Sequence, residues 1–73
     1  MKKTIFSEEH RYVVRKLKQA RKEAGLEQSD AARLLGTTQS YISKLESGQR
    51  RVDVVQLKEI AKVYKKNISY FLP

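Results

Sequence analysis

The stretch that decides the fold is GLEQSDAARLLGTTQSYISKLESGQR, residues 25–50, with its central motif at 28–47. Ala32 has a side chain small enough to let two helices approach closely. Gly36 can take the positive φ that a tight turn requires, and Thr38 can cap the helix that follows. The stretch therefore predicts two short helices that cross at a steep angle and are joined by a tight turn.

The second of these helices has two contrasting faces. Ile42 and Leu45 are apolar and are predicted to face the core. The other face is polar, and its side chains have no evident intramolecular role: Gln39, Ser40, Ser43 and Lys44. A helix that reads DNA places its N-terminal residues at base edges in the major groove. Glutamine can pair with adenine and lysine can donate to guanine. A merely solvated face is the alternative, but the small, turn, capping and apolar positions occur together at the required spacing.

The remaining sequence predicts an all-α fold in one domain, residues 1–73. Apolar periodicity and end signals indicate five helices, at about 7–24, 28–35, 39–47, 54–64 and 69–72. Ser7 and Asp53 are predicted caps, and Gly25 ends the first helix. The predicted apolar stripe of the first helix is Val13, Leu17, Ala20 and Ala24. That of the fourth helix is Val54, Leu57, Ile60, Ala61 and Tyr64.

The composition indicates a polyanionic partner. Lys and Arg total 16 against 8 Asp and Glu, for a formal net charge of +8 and a pI of about 10.0. This surplus of positive charge is suited to binding nucleic acid or an anionic membrane surface. The alternative is that the charge only keeps the protein in solution. No apolar run approaches the ~20 residues of a membrane-spanning helix, and no signal-peptide pattern follows Lys2 and Lys3. We therefore expect a cytoplasmic protein without membrane association.

The sequence makes no case for an enzyme, a metal site or a cofactor. His10 is the only histidine and cysteine is absent, so a metal would lack ligands. The three glycines stand singly at helix ends and form no phosphate-binding loop. We expect His10 to be an exposed helix residue without a special role.

Over about Val14–Leu72 the chain resembles the phage repressor and Cro-type helix-turn-helix family, also called the xenobiotic-response-element (XRE) family. The resemblance rests on Arg21 with Gly25-Leu26, on Gln28, on Leu35-Gly36, on residues 39–48, and on residues 51–53 with Leu57 and Ile60-Ala61. It implies a five-helix, phage-repressor-like DNA-binding domain. The chain departs from the family pattern at Glu27, where Ser, Thr or Asn is usual, and at Thr37, where an apolar residue is usual.

The resemblance also implies individual roles. The residues that would contact bases are Gln39, Ser40 and Lys44. Those that would contact phosphate or sugar are Gln28, Tyr41, Ser43, Arg50 and Arg51. Arg21 and Glu46 would form an internal, structural salt bridge.

The resulting functional prediction is a sequence-specific regulator of transcription, a repressor rather than an activator, that binds a palindromic operator as a homodimer. Two alternatives use the same fold: the antitoxin of a toxin–antitoxin pair, with a toxin as protein partner, and the controller of a restriction–modification system. Near the C-terminus the sequence has an aromatic cluster with one leucine: Tyr64, Tyr70, Phe71 and Leu72. This cluster either completes the core or contributes in part to a dimer contact.

Overall fold

The computed structural model describes residues 7–73 and contains four α-helices followed by one short 3-10 helix. The α-helices are α1 (Glu8–Glu23), α2 (Gln28–Leu35), α3 (Gln39–Glu46) and α4 (Val54–Val63). Helix α3 packs against both α1 and α2, and α4 packs against α2. No strand occurs in residues 7–73. The predicted all-α fold is confirmed.

Three of the α-helices begin directly after the capping residues that the sequence predicts. In each case a side-chain oxygen accepts a backbone N–H three residues on, at 3.1, 3.1 and 2.8 Å: Ser7 from His10, Thr38 from Tyr41 and Asp53 from Gln56. Each cap satisfies a donor that the helix itself leaves unpaired. The starts of α1, α3 and α4 are therefore set by local sequence.

The turn between α2 and α3 depends on Gly36. Its φ is +69°, a left-handed value that costs a residue with a Cβ more than it costs glycine. The N–H of Thr37 then reaches back to the carbonyl of Ala32 at 2.8 Å. This hydrogen bond ends α2, and α3 begins two residues after Thr37. A helix-turn-helix requires a turn of this shortness.

The predicted fifth helix is a 3-10 helix that begins at Ile68 and ends at Phe71. The side chain of Asn67 accepts the N–H of Ser69 at 3.0 Å, and the N–H of Tyr70 donates to the carbonyl of Asn67 at 2.9 Å. Four residues are too few for a ladder of α-helical bonds, so the tighter i to i+3 bonding prevails. This short helix packs against α1 and α4.

The core lies where the four α-helices and the 3-10 helix meet. The largest side chains that are fully buried there are Phe71, Ile42 and Ile60. Tyr64 is also buried, so the aromatic residues at the C-terminal end complete the core in part, while Leu72 remains 49% exposed.

Two residues of the predicted apolar stripes lie outside the core. Ala24 is exposed because it is the cap residue after the last turn of α1. Val54 is 64% exposed because it is the first residue of α4, beyond the edge of the packed helices. None of the helices in residues 7–73 combines the length and apolar content needed to cross a membrane.

Candidate nucleic-acid interface

Helix α3 presents a polar surface that is held in place from behind. Ile42 and Leu45 are 1% and 2% exposed and anchor the helix in the core. The residues on the other side are exposed: Gln39, Ser40, Ser43 and Lys44. Within residues 7–73 their side chains make no hydrogen bond or ion pair. These four residues, called the polar face of α3 below, are therefore free to contact a ligand without breaking internal bonds.

A buried ion pair fixes the C-terminal end of α3 relative to α1. The Nε and Nη2 atoms of Arg21 donate to the two carboxylate oxygens of Glu46 at 2.7 and 3.0 Å, and Nη1 donates to the carbonyl of Leu26 at 2.7 Å. The hydrogen bond to Glu46 raises the pKa of Arg21, against the opposing effect of burial. The ion pair expected from the sequence is present, and it also holds the segment that leads into α2.

Gln28 joins the same network. Its Nε2 atom donates to Oε1 of Glu46 at 3.1 Å, so its side-chain amide is directed at the ion pair. The resemblance implies a phosphate contact through either the side chain or the backbone of this residue. Because Gln28 is the first residue of α2, its backbone N–H is among the donors that the helix leaves unpaired. A phosphate contact through the backbone N–H of Gln28 would therefore leave the hydrogen bond to Glu46 intact.

The start of α2 is arranged around the Asp30 carboxylate. One of its oxygens accepts the backbone N–H of Glu27 at 2.9 Å and the other accepts Nη2 of Arg33 at 3.0 Å. The pKa of Asp30 is lowered, first by the Glu27 hydrogen bond and then by Arg33. This arrangement supports the helix start, where Glu27 replaces the usual small cap residue. It also places two carboxylates beside the backbone N–H groups that would meet a phosphate.

The turn after α3 is folded back on the helix. Gly48 has a φ of +84°. The backbone N–H groups of Gln49 and Arg50 both donate to the carbonyl of Lys44, at 3.0 and 3.3 Å. The guanidinium of Arg50 lies 5.0 Å from the centre of the Tyr41 ring, a favourable cation–π distance. The structure therefore brings together two residues that are both predicted to contact phosphate.

Arg51, also a predicted phosphate contact, follows on the same exposed turn. The chain thus carries two consecutive guanidinium groups in the segment that follows α3. Their planar donors suit phosphate oxygens. Ser43 is exposed on α3 itself, so the predicted phosphate contacts come from α2, α3 and the following turn.

One residue differs from its expected environment. His10, expected to be an exposed helix residue, is half-buried, and its Nε2 atom lies 3.3 Å from the carbonyl oxygen of Gly48. The partners are separated by 38 positions in the chain. No local pattern predicts such a contact, because it depends on where the N-terminal half of α1 meets the turn after α3.

A basic row follows the outside of α1. It consists of four exposed residues, spaced three or four positions apart: Arg11, Arg15, Lys18 and Lys22. Side chains at this spacing share one side of a helix. Together with the net charge of +8, such a row would attract a polyanion at long range without base preference.

The fold and the polar face of α3 define a helix-turn-helix DNA-binding domain. In agreement, a family model described as helix-turn-helix (HTH_3) matches residues 17–71. The chain belongs to this family, which is the XRE or Cro-type helix-turn-helix family. A comparison with curated proteins gives no significant match.

Proposed function

We propose that the protein is a sequence-specific regulator of transcription that binds duplex DNA as a homodimer and acts as a repressor. The observation that supports this most directly is the polar face of α3. Four exposed polar side chains without internal partners stand on a helix whose other side is anchored by Ile42 and Leu45. A recognition helix needs this combination, since its readers must be free and its position must be fixed.

Base reading is assigned to three residues of this face. Gln39 and Ser40 are the first two residues of α3, and the N-terminal end of a recognition helix is the part that enters the major groove. Lys44 lies within one further turn. A glutamine amide can accept and donate at one adenine, and a lysine can donate to guanine, so these side chains can distinguish base pairs.

Phosphate contact is assigned to groups on both sides of the readers. On one side the backbone N–H of Gln28 lies at the positive end of α2, which favours an anion. On the other side are the Tyr41 and Ser43 hydroxyls and the guanidinium groups of Arg50 and Arg51. Contacts of this kind fix the register of the protein on the duplex, while the base contacts supply specificity.

The homodimer is supported by an apolar surface next to the turn. Val54 is 64% and Leu72 is 49% exposed, and both line a depression together with Val13 and Val52. A second copy that covers this surface would place the two DNA-contacting turns close to the two-fold axis. Such a dimer reads two inverted half-sites. A dimer bound at a promoter would exclude other proteins from that DNA, which is the physical basis of repression.

The test is selection of binding sites from a pool of random duplexes with the full chain. We expect an enriched inverted repeat with half-sites about one helical turn apart, and lower transcription when that sequence overlaps a promoter. Failure to enrich any sequence would contradict base reading. Enrichment of a single half-site without symmetry would contradict the homodimer and leave base reading in place.

A further inference from the structure

His10 connects α1 to the turn that follows the recognition helix. Its Nε2 atom lies 3.3 Å from the carbonyl oxygen of Gly48. A carbonyl oxygen only accepts hydrogen bonds, so this contact requires the proton of the neutral imidazole to be on Nε2. His10 lies outside residues 17–71, the part of the chain that matches the family model.

A second residue of α1 lies close to the same turn. Val14 is one helical turn after His10 and therefore on the same side of α1. A Cβ atom placed on Gly48 would lie 3.9 Å from Cγ2 of Val14, which is ordinary van der Waals contact. The N-terminal half of α1 thus reaches Gly48 through the His10 hydrogen bond, and the Val14 side chain lies about a methyl group away.

The turn needs this support because of its backbone. Gly48 has a φ of +84°, and glycine has more conformational freedom to lose than any other residue. The N–H groups of Gln49 and Arg50 are held by the carbonyl of Lys44. The hydrogen bond from His10 restrains the Gly48 carbonyl, on the other side of the same turn.

We infer that His10 is a positioning residue for DNA binding, whose imidazole holds the turn in the conformation that directs Arg50 and Arg51 at phosphates. The inference rests on the phosphate contacts proposed above for these two arginines. Binding by a turn that is already ordered loses less conformational entropy than binding by a loose one. Loss of the hydrogen bond therefore weakens binding to every duplex, without changing base preference.

The test compares three substitutions at this position. In His10→Gln the amide nitrogen is separated from Cα by as many bonds as Nε2 of histidine, so the donor is kept, whereas His10→Asn is one bond too short and His10→Ala has no donor. We expect Ala and Asn to raise the Kd for both the selected and a random duplex about two- to tenfold, the range that one net hydrogen bond supports. Gln should stay within about twofold of the wild type, on the same reasoning.

The combination with R50A/R51A separates positioning from folding. If His10 acts through the arginines, His10→Ala should add no further loss of affinity in that background. Two results would overturn the inference. One is an equal loss of affinity in both backgrounds, and the other is a His10→Gln variant that binds DNA as weakly as His10→Asn. If R50A/R51A alone leaves the affinity unchanged, the phosphate role is wrong and the inference fails with it; selection of an operator would still establish base reading.

A spectroscopic measurement tests the geometry independently of DNA. Long-range proton–nitrogen NMR correlations at a pH where the imidazole is neutral should show the His10 proton on Nε2 in the wild type. A proton on Nδ1 would overturn the proposed hydrogen bond. This measurement uses the native chain and does not depend on the stability of any variant.

Discussion

The guanidinium of Arg21 and the carboxylate of Glu46 are joined by two hydrogen bonds of 2.7 and 3.0 Å, across 25 positions of the chain. Their side chains are only 7% and 5% exposed. Charges so far from water are tolerated because they are paired and hydrogen-bonded. The pair ties α3 to α1, and removal of either member would leave a buried charge without its partner.

Arg21→Ala should reduce the free energy of unfolding by about 3–5 kcal/mol, because Glu46 is left buried and unpaired. Urea unfolding followed by circular dichroism measures this loss. Arg33→Ala is the matched control: its ion pair with Asp30 is exposed, so the loss should stay below about 1 kcal/mol. Equal losses for the two variants would contradict the structural importance of the buried pair.

Gln39→Ala should weaken binding to the selected operator by about 1–3 kcal/mol and relax the preference at one base pair of each half-site. The reason is that its amide is removed from a base edge while the phosphate contacts are kept. Binding to a random duplex should be unchanged. Competition assays with operators substituted one base pair at a time measure both effects, and an equal loss on operator and random DNA would argue against base reading by Gln39.

R50A/R51A should weaken binding to all duplexes and reduce the slope of log K against log salt by about 0.9 for each phosphate that the variant no longer neutralises. K58A/K62A removes the same number of charges from exposed positions on α4 and should change the slope much less. Binding measured over a range of salt concentrations distinguishes the two. Identical slopes for both double variants would show that only net charge matters.

Leu72→Asp should convert the proposed homodimer to a monomer, because a carboxylate would be placed in the apolar contact. Leu34→Asp is the control, since Leu34 lies on α2 and is similarly exposed, at 52% against 49% for Leu72. Sedimentation equilibrium reports the mass of each variant. A dimeric Leu72→Asp, or a monomeric Leu34→Asp, would place the dimer contact elsewhere.

Because of Tyr64, we expect the free energy of unfolding to decrease at alkaline pH. Burial, assisted by the nearby Glu46 carboxylate, raises the pKa of its phenol from 10.0 to about 12. The folded state therefore retains this proton more tightly than the unfolded state. The contribution is complete below pH 10.0 and is lost as the pH rises through about 12. Relative to Tyr64→Phe, the wild type should lose about 2–3 kcal/mol over this interval, measured by urea unfolding. A constant difference would contradict the raised pKa.

Much of this fold could be predicted because its signals are local. Ser7, Thr38 and Asp53 act within three residues of themselves, and Gly36 is needed for the backbone of a single turn. Such effects do not depend on the rest of the chain. The two faces of α3 could be predicted for the same reason, since the spacing of its polar and apolar residues is set within two turns.

The rest could not be predicted because it depends on how far the packed region extends. Helical periodicity identifies a side of α1 and α4 but does not say where the neighbouring helices end, and for this reason Ala24 and Val54 lie outside the core. The contacts of His10 with Gly48 and of Gln28 with Glu46 join distant segments. Their geometry exists only once α1, α2 and α3 have packed together.

Helix α3 is anchored from its rear, by Ile42, Leu45 and the ion pair of Glu46. Residues on its front take no part in that anchoring, and exchange of an exposed side chain without internal partners usually changes stability by no more than about 0.5 kcal/mol. Under the proposed function, substitutions at Gln39, Ser40 and Lys44 would therefore change the preferred operator at little cost in stability. In this small chain, the residues proposed to read DNA are thus separate from those that hold the scaffold together.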